Sequence, residues 1–126
     1  MIHMQNNENE DRKYILAEAF AVKIVELEKY LREEKRERRM SDQIYRSATS
    51  IGANISEAKY AESTSDFIHK LSISQKEANE TLYWLRLLYK TKYIDDIRFS
   101  ELYGDCQELL RVITKVILSV RRNKRQ

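Results

Sequence analysis

"SDQIYRSATSIGANISEA", residues 41–58, sets apolar side chains at Ile44, Ala48, Ile51, Ile55 and Ala58, steps of four and three that make one face of a helix a seam. Ser41 or Asp42 is positioned to cap it by accepting hydrogen bonds from its free N–H groups. The opposite face is unusual. Tyr45, Thr49, Ala53, Ser56 and Tyr60 occupy it, with none of the lysine and glutamate a solvated helix carries. Gly52 in the middle costs about 1 kcal/mol of local helix stability relative to alanine. Small residues at Ala48, Gly52 and Ser56 permit close backbone approach, so this helix is expected to be covered on two sides.

Helical spacing continues in both directions. Leu16, Phe20, Ile24, Leu27 and Leu31 fall within a narrow arc and predict a first helix over 10–38, with the charged run "REEKRERR" as its exposed end and Glu28–Arg32 and Glu34–Arg38 as i,i+4 pairs. The second helix is expected over 42–61. Ser63 with Asp66 forms a variant capping box opening a third helix over 64–91, whose inner face is Phe67, Leu71, Ser74, Ala78, Leu82, Leu85 and Tyr89. Asp95 caps a fourth helix over 96–122, with Ile94 and Phe99 placed as a hydrophobic staple. Its seam is Leu102, Cys106, Leu109, Ile113, Val116 and Val120. Residues 1–9 and 123–126 read as a flexible N-terminal tail and a basic C-terminal tail. Four such helices with short links predict an all-α, up-down-up-down antiparallel four-helix bundle in which Ile51, Ile55, Leu71, Ala78, Leu85, Leu109, Ile113 and Val116 are buried.

The composition agrees. The chain of 126 residues contains no proline and two glycines, too few turn residues for a β-rich domain. Cys106 is the only cysteine, which excludes an intramolecular disulfide and a CxxC motif and fits a reducing cytoplasm. The opening "MIHMQNNENEDRK" is polar and acidic, unlike a signal peptide, and no apolar run is long enough to span a membrane. A cytoplasmic protein without membrane contact is expected.

Outer positions of the third helix repeat the anomaly of the second: Ile73, Tyr83, Trp84 and Leu87 stand beside His69, Lys76 and Glu80. With Tyr45, Ala53 and Tyr60 they are candidates for an interface between copies of the chain. The alternative is that these aromatics pack back into their own bundle. Asn54, at the edge of the core, reads as a structural polar group that fixes helix register, with Ser47, Ser74 or Glu77 as partners.

The residues "QIYRSATSIGANISEA" from Gln43 to Ala58 resemble the second-helix signature of the bacterial 23S rRNA intervening-sequence proteins, through Gln43, Arg46, Ala48, Ser50, Ile51, Ala53, Asn54, Ile55 and Glu57. "DFIHKLSIS" and "EANETLYWLRLL" are similar to that family's third helix, through Phe67, Leu71, Glu77, Glu80, Thr81, Trp84 and Leu85. Ala58 replaces the usual glycine and Gly52 a frequent proline. The resemblance implies a four-helix bundle. A related branch accompanies diversity-generating retroelements, where a similar bundle forms a five-membered ring with a basic surface and works with nucleic acid and a reverse transcriptase. Carried to this chain, that implies a homo-oligomer, a pentamer, with RNA or DNA and a nucleic-acid enzyme as partners. A ribosomal label for the family reflects where many of its genes lie, in insertions within ribosomal RNA genes.

Net charge is only +3, so its distribution matters more than its size. After Glu108 no acidic residue follows, while Arg111, Lys115, Arg121, Arg122, Lys124 and Arg125 contribute six cations able to neutralise phosphates. Arg36, Arg38 and Arg39 form a secondary candidate cluster. Basic residues at a helix C-terminus also simply complement the macrodipole. No catalytic constellation assembles: His69 lacks the paired Glu-x-x-His needed for a di-metal bundle, Cys106 falls on the apolar seam, and no glycine-rich phosphate loop occurs. No cofactor, metal or enzymatic activity is expected. The reading is a non-catalytic oligomer that binds RNA or DNA backbone; the alternative is a protein-interaction scaffold without nucleic acid.

Overall fold

The computed structural model describes the backbone of residues 7–125 and the side chains of 12–123. Four helices, α1 (Asn7–Glu33), α2 (Arg39–Ala58), α3 (Thr64–Lys90) and α4 (Asp96–Arg125), pack in a cycle: α1 touches α2 and α4, and α3 touches α2 and α4. Short links make successive helices antiparallel, giving the up-down-up-down bundle. Among the described residues there is no strand. The eight residues expected to be buried are so, Ile51, Leu71, Ala78, Leu85, Leu109 and Ile113 completely and Ile55 and Val116 nearly so, whereas Leu16 and Tyr89 on the same inner faces are half-buried.

Hydroxyl groups set the α2–α3 register. Ser74 Oγ donates to the Ile51 carbonyl at 2.8 Å, and Ser47 and Thr81 hydroxyls meet at 2.9 Å, all inside the core. Thr81 gives its one proton to the Glu77 carbonyl at 2.8 Å, so Ser47 is the donor to Thr81. Asn54, the residue expected to set register, instead donates to the Ser50 carbonyl of its own helix at 2.9 Å. Its amide is satisfied one turn back, which leaves interhelical register to the smaller hydroxyl side chains that fit between closely packed backbones.

The α1–α2 link differs most from the sequence reading. Helix α1 stops at Glu33, and the chain reverses through Arg36, whose φ of 56° lies in the left-handed region. Glu34 and Arg38 therefore flank a turn and cannot form an i,i+4 helical pair, whereas Glu28 and Arg32 pair at 2.9 Å. Helix α2 begins three residues before the expected start, at Arg39, because Glu37 performs the capping. Its carboxylate accepts from the Met40 and Ser41 amides at 3.1 and 2.9 Å. Ser41 itself is buried, and its hydroxyl has no hydrogen-bond partner.

The other two expected caps form as read. Ser63 Oγ accepts from the Asp66 amide at 3.0 Å, and Asp95 accepts from the Arg98 amide at 2.8 Å. Asp66 reaches back to the Glu62 amide at 3.2 Å, one residue before the position a standard box would use. The described part of α4 continues to Arg125, so the expected basic tail from residue 123 begins as helix.

Two stability outcomes follow from these local contacts. Replacing Glu37 by alanine leaves two α2 amides without their acceptor and should lower unfolding free energy by about 1–2 kcal/mol. Gly104 has open space around its would-be Cβ and ordinary helical φ, so Gly104→Ala should raise stability by about 1 kcal/mol. Urea midpoints of the two variants against the parent would check both signs.

Candidate functional site

Beyond Arg98, the described cations of α4 are segregated from its acids. Along its first half, Glu101, Asp105 and Glu108 turn towards α1, where Lys23 meets Asp105 at 2.7 Å and Glu101 at 3.2 Å and Arg12 meets Glu108 at 2.9 Å. The Asp105 hydrogen bond raises the Lys23 ammonium above its usual range, Glu101 adding to it against some desolvation. In the second half Arg111, Lys115 and Arg122 follow one another at helical spacing on the solvent face, with Arg121 beside them. All four are exposed, and none has an ion-pair partner among the described residues. Lys124 and Arg125, also expected here, have side chains outside the described residues.

The secondary cluster of Arg36, Arg38 and Arg39 is exposed too, but on the link between α1 and α2 and the first residue of α2. In an up-down bundle that link shares an end with the α3–α4 link, whereas Arg121 and Arg122 lie at the other end. Twenty-three residues of α4 separate Arg98 from Arg121, roughly 35 Å at about 1.5 Å per residue. The two cation groups therefore do not form one surface on a single chain.

Beside the dry face of α2, the Gly52 side of the helix has a partner within the chain. A methyl group at Gly52 would stand 3.5 Å from Ala17 Cβ, so the small side chains bring α1 close to α2. A shallow groove of about 230 Å³ remains outside this contact, with Tyr14, Glu18 and Ala21 of α1 across from Thr49, Ala53 and Ser56 of α2. Tyr45 and Ala53 on α2 are exposed, as is Tyr60 in the turn that follows the helix.

On α3 the expected interface divides. Tyr83 is exposed, but Trp84 packs against the core and donates from its indole to Glu80 at 3.0 Å; Ile73 and Leu87 are half-buried. Glu80 and Glu77 both accept from Arg46 of α2, which ties Trp84 into a bridge between the two helices. The sequence reading passed over Ile15 and Val22, outward residues of α1 that are 64% and 55% exposed and follow the groove residues Tyr14 and Ala21. Seven-residue spacing from Ile15 to Val22, on the side away from the Phe20–Ile24–Leu27 seam, was the available signal.

Cys106 is fully buried, its thiol 3.5 Å from the Ala78 carbonyl, and burial pushes its pKa up to about 12, so it stays a neutral thiol. Among the described residues no three His, Cys, Asp or Glu side chains come together as metal ligands, and no helix is long and apolar enough to cross a membrane.

The sequence model of the family described as 23S rRNA-intervening sequence protein matches residues 10–115. No curated protein matches the chain. Among solved structures, it is similar to a Bacteroides thetaiotaomicron protein of unknown function from the S23 ribosomal protein family. Sequence identity is 46% and TM-score 0.86, over 86% of this chain and 97% of that one. With the seam of α2, the bundle and most of its length all matched, the chain belongs to the 23S rRNA-intervening sequence protein family.

Proposed function

We propose that this protein is a non-catalytic homo-oligomer whose α4 cations bind the phosphate backbone of RNA or DNA. The observation that carries the reading is the charge segregation of α4. Arg12 and Lys23 are satisfied by α4 carboxylates, while Arg111, Lys115, Arg121 and Arg122 face solvent with no carboxylate opposite. Cations without a carboxylate partner, set at helical spacing, meet phosphates by releasing counterions, with no intramolecular ion pair to break. They read no base edges, so binding is insensitive to sequence.

Assembly strengthens such a surface by bringing several stripes onto one strand. The apolar outer residues Ile15, Val22, Tyr45 and Tyr60 supply association area, and the resemblance to ring-forming relatives supports five copies. Trp84 offers less free area than the sequence reading assigned it, since it packs against the core of its own bundle. Partnership with a nucleic-acid enzyme rests on the same resemblance. A protein scaffold without nucleic acid is the competing reading, favoured only if the α4 stripe proves inert. A cytoplasmic location accords with both.

Two measurements test this. Binding of a structured RNA, followed by anisotropy over a salt series, should weaken when Arg111, Lys115, Arg121 and Arg122 are changed to serine. The slope of log K against log salt should fall by about 0.7–0.9 for each phosphate that is no longer neutralised. An unchanged slope would sink the nucleic-acid reading. Light scattering should give several times the 15.1 kDa chain mass, and Ile15→Glu with Tyr45→Glu should reduce it to the monomer while the helical circular dichroism is kept. A parent protein that is monomeric at every concentration refutes assembly.

A further inference from the structure

At the end of the bundle opposite the C-terminus, a cavity of about 690 Å³ opens between the end of α1 and the α3–α4 link. This is within the range of small-molecule sites, about 300–1,000 Å³. Its walls combine tyrosine rings, Tyr30 and Tyr93, with four cations, Lys35, Lys90, Lys92 and Arg98. Two carboxylates also line it, but each is engaged. Asp95 caps α4 through the Arg98 amide, and Asp96 accepts the Tyr89 hydroxyl. Lys90 and Lys92 have no ion-pair partner among the described residues and are exposed. Arg98 lies over the Tyr30 ring at 4.2 Å from its centroid, which presents a flat guanidinium–aromatic surface at the cavity wall. Tyr93 is half-buried, and among the described residues it has no ring neighbour and its hydroxyl has no hydrogen-bond partner.

The α3–α4 link adds a second observation. Lys92 adopts φ of 67°, a conformation that glycine or asparagine takes with less strain. A lysine held there places an extra ammonium at the cavity mouth against the preference of the turn. Arg36, at the same end on the other link, repeats this with φ of 56°.

We propose that this cavity binds a nucleotide unit carrying a terminal phosphate, with Lys90 and Lys92 on the phosphate and the base stacked between Tyr93 and the Arg98–Tyr30 pair. Planar bases stack on aromatic rings and guanidinium planes whatever their identity, and mobile ammonium groups follow a phosphate's charge. Such a unit comes from a free nucleotide or from the 5′ end of a strand. The site shares no residue with the α4 stripe, whose nearest member Arg111 lies roughly 20 Å along the helix from Arg98, so each can fail alone.

The test uses the full chain and four probes: AMP, adenosine, and a short single-stranded oligonucleotide with and without a 5′-phosphate. Calorimetry should show saturable binding of AMP over adenosine, which identifies a free nucleotide. Alternatively, only the phosphorylated oligonucleotide should bind at least tenfold tighter than its unphosphorylated form, which identifies a strand end. In either case Lys90→Ser with Lys92→Ser should reduce that affinity at least tenfold, and serine at Arg111, Lys115, Arg121 and Arg122 should leave the phosphate preference intact. Lys92→Gly relieves the turn, so it should keep or raise the melting temperature while weakening binding; this separates lost binding from lost folding. No phosphate preference with either pair of probes, or full affinity in the double lysine variant, overturns the proposal.

Discussion

The hydrogen bond from Ser74 to the Ile51 carbonyl constrains the rest of the bundle. It requires α2 and α3 to approach closely enough for one serine side chain to span them, and Ser47 with Thr81 repeats the requirement further along. These groups are buried, and removing one partner of such a pair leaves the other desolvated at a cost of about 1–3 kcal/mol. Sliding α3 by one turn would break both hydrogen bonds together, so register is selected by polar pairing while the apolar seams supply the burial. On its other flank α2 approaches α1 through Gly52 and Ala17. Small residues on both flanks of one helix let the fourth side of the bundle, α1 against α4, be held at its rim by ion pairs.

Seams at steps of four and three were legible because burial imposes one period on each helix, and they gave most of the core; Ala17, Leu88, Val112 and Ile117 are buried beside the seams without lying on them. The start of α2 was not legible, because its cap is supplied by a glutamate two residues before the helix, a position that sequence rules for Ser, Thr, Asp and Asn do not inspect. The end of α1 was hidden for a related reason. Its turn uses arginine at a positive φ where glycine is the usual marker, so the charged run reads as continuous helix.

Outer faces were less legible than inner ones. Trp84 and Leu87 sit at angles that a helical wheel assigns to solvent, yet a long indole can lean into the groove between neighbouring helices and hydrogen-bond to Glu80 one turn back. A wheel gives the direction of Cβ and says nothing of where a large side chain ends. Ile15 and Val22 escaped notice for the opposite reason: Arg12, Glu18 and Glu26, one turn away from them along α1, make the face look solvated although the two apolar side chains are bare. The loop-end cavity draws on two segments distant in the chain, residues 30–35 and 89–98, and no single window of sequence contains it.

Charge divides the molecule into two ends with different chemistry. From Glu101 onward the α4 carboxylates are engaged by α1, and the cations of the second half of the helix lie on an open helical surface suited to a continuous phosphate backbone. At the other end the cations surround a concavity with tyrosines, an arrangement with room for one planar unit and little benefit to an extended strand. Arg36 and Lys92 sharpen the distinction. A left-handed residue with a side chain costs on the order of 1 kcal/mol, and neither link needs a cation to turn. Two such costs at one end, both borne by basic residues, are hard to reconcile with turn geometry alone; placing positive charge at that rim is a physical gain commensurate with them.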